Sequence, residues 1–257
     1  MPTVDSHSVV DPRARIADDV TIGPFCWIGP EVTLESGVVL DSHVRVEGHT
    51  TLGRGVHVHA GAVLGGPPQD LKFKGVKSFL TIGERTVVRE CVTANVATDE
   101  GETTRIGADC LVMAYAHVAH NTVVGDRVVL ANGVQLAGYV TVEDHAIVGG
   151  LVPVHQFVRI GAHSMIGGGC RVPQDILPYT RAAGQPLKPI GLNLVGLQRR
   201  GFSEASIAAL KQAYRLLLRS GLRLEDACEE IRASVPTTPE VERFVRFALS
   251  SERGITR

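Results

Sequence analysis

At 257 residues the chain fits one large or two modest domains and can bury a substantial core. Lys and Arg (26) balance Asp and Glu (27), which argues against a nucleic-acid partner or an anionic membrane surface. The five scattered cysteines include no CxxC pair, no apolar run could span a bilayer, and the N-terminus lacks a secretory h-region. A disulfide framework and a stable membrane anchor are therefore not expected, and a reducing cytoplasm is.

From the N-terminus onward a branched aliphatic residue returns at every sixth position. Val4, Val10, Ile16, Ile22, Ile28, Leu34, Leu40, Val46, Leu52, Val58 and Leu64 share one phase. The stretch "GGPPQDLKFKGVKSF" (65–79) breaks the pattern with prolines and lysines, and reads as an external loop near 65–80. Leu64 to Ile82 is predicted to make one full coil, so that the loop leaves the phase intact. The pattern resumes at Ile82 and Val88, and a polar excursion, "NVATDEGETT" (95–104), follows. From Ile106 to Val172 the sixth-position series is unbroken, and the positions two residues earlier (Thr104, Cys110, Ala116, Thr122 and onward) are small or β-branched.

Side chains at i−2 and i of a strand share a face, so both series point into one narrow interior. Gly, Ala, Asn and Asp follow them as corner residues. Three six-residue sides close a triangular coil of about 18 residues, and coils stack about 4.8 Å apart. The phase predicts a parallel β-helix of roughly nine coils, on the order of 45 Å long. "PQDILPYTRAAGQPLKPIG" reads as a connector after the repeat ends. Helices are predicted from the Ser203 N-cap to Gly221, over Leu224–Ser234, and from Thr238-Pro239 onward. The predicted division is a β-helix over 1–190 and a helical domain over 191–257.

"LVMAYAHVAHNTVVG" (111–125) holds two histidines three apart. His117 precedes the inward Val118, so alternation sends it outward, and His120 falls at a corner. A core role is sterically poor for both. An inert exposed pair, a zinc site completed by a residue such as His145, and a general base remain open. Stacking puts Gly138 one coil and Gln156 two coils beyond His120. That leaves a gap of about 10 Å on one edge, with the Gly138 N–H available to an oxyanion. His155 lies beside Gln156.

"AYAHVAHNTVVG", "LAGYVTVEDHAIVGG", "PVHQFVRIGAHSMIGGG", "PQDLKF" and "GLNLVGLQRRGFS" together resemble the UDP-N-acetylglucosamine O-acyltransferase family of lipid A biosynthesis, over essentially the whole chain. The resemblance implies a left-handed β-helix and transfer of a 3-hydroxyacyl chain from acyl carrier protein to a sugar 3-hydroxyl. It makes His120 the general base and the Gly138 N–H the oxyanion donor. Asp70, Lys72, His117, His155, Gln156, Asn193, Arg199 and Arg200 match substrate-binding positions, and Gly168 matches the position that sets acyl length, left open here for a longer chain. It also implies a homotrimer, with no cofactor or metal beyond the phosphopantetheine thioester of the carrier protein.

Three departures from the family pattern stand out. Asn121 stands where some members have Asp, Tyr139 replaces a histidine, and Asn95-Val96 replace a His-Arg pair. They bear on the acceptor, since some relatives acylate a 3-amino sugar. A non-catalytic scaffold and a zinc hydratase are the readings from other classes. Lys211, Arg215 and Arg219 share one helix face, which suits either docking of the acidic carrier protein or simple solvation.

Overall fold

The computed structural model describes residues 1–257. Short strands, most of two residues, fall in turn on three parallel sheets, giving a left-handed parallel β-helix followed by a small helical region. Registers are those of a triangular coil. On the first face Val4 pairs with Ile22, Ile22 with Leu40 and Leu40 with Val58. The second face carries Ile28, Val46, Leu64, Ala94, Val118 and Leu136 in order, and the third carries Leu34, Leu52, Ile82, Ile106, Val124 and Val142.

The sixth-position residues and those two before them fill one apolar core of 44 buried residues running through the prism. Each buried Val, Leu or Ile contributes about 1.5–3 kcal/mol relative to exposure. Thr104 and Thr122 are also buried, and their hydroxyls are used: Thr104 Oγ1 accepts from the Asn121 N–H, and Thr122 donates to the Ala137 carbonyl. Val4 is exposed because nothing stacks below the first coil, and Val9 because it faces outward beside the inward Val10.

The first excursion behaves differently from the prediction. Leu64 and Ile82 do not close one coil; they lie on the second and third faces. Phe79 registers on His49, thirty positions back. An uninterrupted coil pairs at about eighteen, so the excursion adds two hexads' worth of chain, and the six-residue phase survives for that reason. The second excursion adds one hexad's worth, since Phe79 registers on Thr103. The two excursions are tied together. Asn95 is buried and its Nδ2 donates to the Pro67 carbonyl at 3.0 Å, while the Gly101 N–H donates to the Lys77 carbonyl.

The predicted connector is also more regular than expected. Thr180–Ala183 joins Met165–Ile166 in parallel and pairs with Lys188–Leu192 antiparallel, so a hairpin extends the first face. Four helices follow: α1 (Leu194–Arg199), α2 (Glu204–Arg219), α3 (Leu224–Ser234) and α4 (Pro239–Leu249). Ser203 caps α2 by accepting from the Ser206 N–H, and Thr238 caps α4 with Pro239 at its first turn, as predicted. The short α1 is an addition, capped by Asn193.

A second core of 20 buried residues, centred on Phe244, Leu210 and Ile231, joins the helices to Leu177, Tyr179 and Leu192 of the hairpin region. Asp175 fastens the tail to the prism: its carboxylate accepts from the Arg159 N–H and the Ser251 hydroxyl, both at 2.7 Å. Arg159 in turn stacks over Phe247 at 4.2 Å. No helix is long and apolar enough to cross a membrane.

Candidate active site

The edge between the second and third faces presents His120, Gly138 and Gln156 on successive coils. The chain turns there through Asn121, Tyr139 and Phe157, all left-handed at φ 56°, 61° and 64°. A non-glycine residue rarely adopts this conformation, and the ladders on either side hold it. Together with the two excursions, this edge encloses a cavity of about 620 Å³, lined by Asp70, Lys72, Thr98, Asp99, His120, Tyr139, Gln156 and Phe157.

His120 occupies part of the gap expected above Gly138. Its imidazole lies over the glycine so closely that a Cβ there would meet Nε2 at 2.6 Å and Cε1 at 2.5 Å. Glycine is thus a steric requirement of the histidine. The Gly138 N–H donates to no group in the chain.

The orientation of His120 comes from its neighbour. Its Nδ1 lies 3.0 Å from Asn121 Oδ1, and the same oxygen accepts from the Thr98 N–H at 2.9 Å. An amide oxygen that accepts fixes Nδ1 as the protonated nitrogen and leaves a lone pair on Nε2. Thr98 continues the network to Tyr139, whose hydroxyl donates to Asp99 Oδ2 at 2.9 Å. The Thr98 hydroxyl pulls the Tyr139 phenol down, but burial and the Asp99 carboxylate outweigh it, and the group stays protonated.

His117 is oriented differently. It faces outward on the second face, where Thr93 Oγ1 meets its Nδ1 at 2.7 Å. Burial, then the proximity of His120, pushes it below the ordinary imidazole range, so it is neutral at pH 7. His155 shares the edge, with its Nδ1 directed to the Gln156 carbonyl at 3.1 Å, and does not line the cavity.

The remaining predicted residues lie on other edges. Gly168 is on the edge between the first and second faces, in an apolar groove of about 690 Å³ with Tyr115, Gly133, Gly150 and Leu151. Asn193, Arg199 and Arg200 lie near the edge between the third and first faces. Asn193 is buried and occupied: its Nδ2 donates to the His163 carbonyl and its Oδ1 caps α1. Arg199 is exposed, and Arg200 donates to the His145 carbonyl at 3.3 Å.

His145 and His163 stack on that edge, centroids 4.6 Å apart. His145 therefore cannot join His117 and His120 around a metal ion. Burial first, then His145 and Arg200, pushes His163 down to about 4. Sequence reasoning marked the second excursion as polar but named neither Thr98 nor Asp99. No local pattern reveals them, since they reach the site by folding back over the next coil.

The family model described as UDP N-acetylglucosamine O-acyltransferase, domain 2, matches residues 175–256, and the bacterial transferase hexapeptide (six repeats) model matches residues 103–138. The acyl-[acyl-carrier-protein]–UDP-N-acetylglucosamine O-acyltransferase of Thermodesulfovibrio yellowstonii is 44% identical over 258 residues, covering 100% of both chains. The solved structure of LpxA from Acinetobacter baumannii superposes with a TM-score of 0.96 at 40% identity, covering 99% of each chain. The UDP-N-acetylglucosamine acyltransferase of Bacteroides fragilis gives 0.97 at 38% identity, covering 99% of this chain and 100% of that one. With its repeat, its helical tail and its His120 edge, this chain belongs to the UDP-N-acetylglucosamine O-acyltransferase family.

Proposed function

We propose that the protein transfers a 3-hydroxyacyl chain from acyl carrier protein to the 3-hydroxyl of UDP-N-acetylglucosamine, the first step of lipid A biosynthesis, in the cytoplasm. The observation that carries the mechanism is the tautomer of His120, with Nδ1–H held by Asn121 and Nε2 unprotonated above Gly138.

Nε2 takes the proton of the sugar 3-hydroxyl as that oxygen attacks the thioester carbonyl. The Gly138 N–H, free of intramolecular partners, stabilises the tetrahedral oxyanion. Collapse breaks the carbon–sulfur bond, and the imidazolium returns its proton to the departing phosphopantetheine thiolate. The products are an ester and the free thiol of the carrier protein, and the step needs no metal. Asp70, Lys72 and Gln156 bind the sugar within the cavity, with His117 and His155 beside it. Gly168 leaves the groove open to a long acyl chain, and the exposed Lys211, Arg215 and Arg219 of α2 receive the acidic carrier protein.

Asn193, Arg199 and Arg200 bind the nucleotide. They lie on a different edge from His120, which supports a homotrimer in which adjacent prisms complete each site. Asp70 and Asp99 in the cavity would also suit a 3-ammonium sugar as acceptor.

Mass spectrometry of products from UDP-N-acetylglucosamine and its 3-amino analogue, with a series of acyl carrier protein thioesters, tests the reading. An ester bearing a long 3-hydroxyacyl chain is expected, with loss of about 100- to 10,000-fold in rate for His120→Ala. Exclusive amide formation, or full activity in His120→Ala, would overturn it.

A further inference from the structure

A second polar cluster lies on the edge between the first and second faces. His57 points outward from its strand, His59 opens the corner of the same coil, and Asp41 holds the equivalent corner place one coil earlier. The Asp41 carboxylate is clasped from both sides. His57 Nε2 lies 3.0 Å from its Oδ1 and His59 Nδ1 lies 2.9 Å from its Oδ2. Glu90, from the next coil, accepts from the Arg89 guanidinium through both oxygens and brings Oε1 to 4.0 Å from the same His59 nitrogen, so it joins the cluster only by releasing Arg89. The donor atoms of Asp41, His57 and His59 all fall within 4.8 Å of one another. None of these residues takes part in the acyl-transfer chemistry.

We propose that Asp41, His57 and His59 bind a divalent transition-metal ion, zinc foremost, with Glu90 as a fourth donor. Tetrahedral zinc, with nitrogen and oxygen donors at about 2.0–2.2 Å, sets neighbouring donors about 3.3 Å apart, and the separations to the carboxylate already approach that. Two imidazoles exclude the all-oxygen preference of magnesium and calcium, and two carboxylates lack the softness that copper(I) requires. The rings stack with centroids 4.2 Å apart and planes inclined 28°. Seating the ion therefore turns one ring about its Cβ–Cγ torsion, which is broad for histidine. The donors come from three consecutive coils, so the ion clamps the prism along its axis.

The test is a zinc titration of the full-length protein after chelator stripping, in competition with a chromogenic chelator, and with cobalt(II) visible absorption as the second readout. One ion per chain is expected, together with cobalt d–d bands of a tetrahedral site. His59→Gln and Asp41→Asn should each weaken binding at least about tenfold, while His120→Gln binds as the wild type does. If either cluster variant loses its far-UV circular dichroism, His57→Gln replaces it. Failure to bind a stoichiometric ion, or equal affinity in folded cluster variants, overturns the proposal, as does loss of the ion in His120→Gln.

Discussion

The bond from His120 to Asn121 sets a tautomer without adding charge, and its consequence can be measured. An aspartate at 121 would attract the imidazolium and raise the pKa of His120. In the proposed mechanism the base acts in its neutral form, so Asn121→Asp is predicted to move the acid limb of the kcat/KM profile to higher pH; an unmoved limb contradicts the contact. Gly138→Ala is predicted to lower kcat by at least about 100-fold with the fold intact, because the new Cβ occupies the place of the imidazole. His163 titrates about 4 when folded, against about 6.5 unfolded. As pH falls the unfolded chain takes up this proton first, so the stability that His163 contributes is present above pH 6.5 and lost on the way down to about 4. The loss, up to about 3 kcal/mol, should appear as a falling melting temperature that His163→Gln reduces. A parallel fall in both proteins would contradict the burial effect.

Among the elements, legibility followed the range of the determining contacts. The coils were readable because each six-residue side repeats the same inward pair, as Ala116 and Val118 or Val134 and Leu136 do, and both members are buried. Helices α2 and α4 were readable because Ser203 and Thr238-Pro239 announce their starts locally. Helix α1 is six residues long, too short for a periodic signal, and its cap Asn193 had been assigned to substrate alone. The hairpin over Thr180–Leu192 escaped because its pairing partner, Met165–Ile166, lies in the preceding coil. The excursions show the same limit. Their lengths kept the phase, so the phase could not show that the first carries twice the insertion of the second. The contact of Thr98 with Asn121, and that of Asp99 with Tyr139, bridges coils across the fold.

At the scale of the whole molecule, one prism distributes its candidate functional groups over three edges: the His120 cavity, the Gly168 groove and the Arg199–Arg200 edge with its histidine stack. The neighbouring positions along each edge were legible from the coil arithmetic, as with His120, Gly138 and Gln156. Which edges meet was not, because that depends on how prisms pack against one another. In the homotrimer proposed above, a site completed by adjacent chains would give three equivalent cavities and place the functional groups on outer edges rather than in the core. Co-assembly of two inactive variants, His120→Ala and Arg200→Ala, tests this directly. Mixed trimers pair an intact His120 edge on one chain with an intact Arg200 edge on its neighbour. Random mixing in equal amounts is predicted to restore about a quarter of wild-type activity. Activity no higher than that of either parent, in trimers shown to contain both chains, would contradict it.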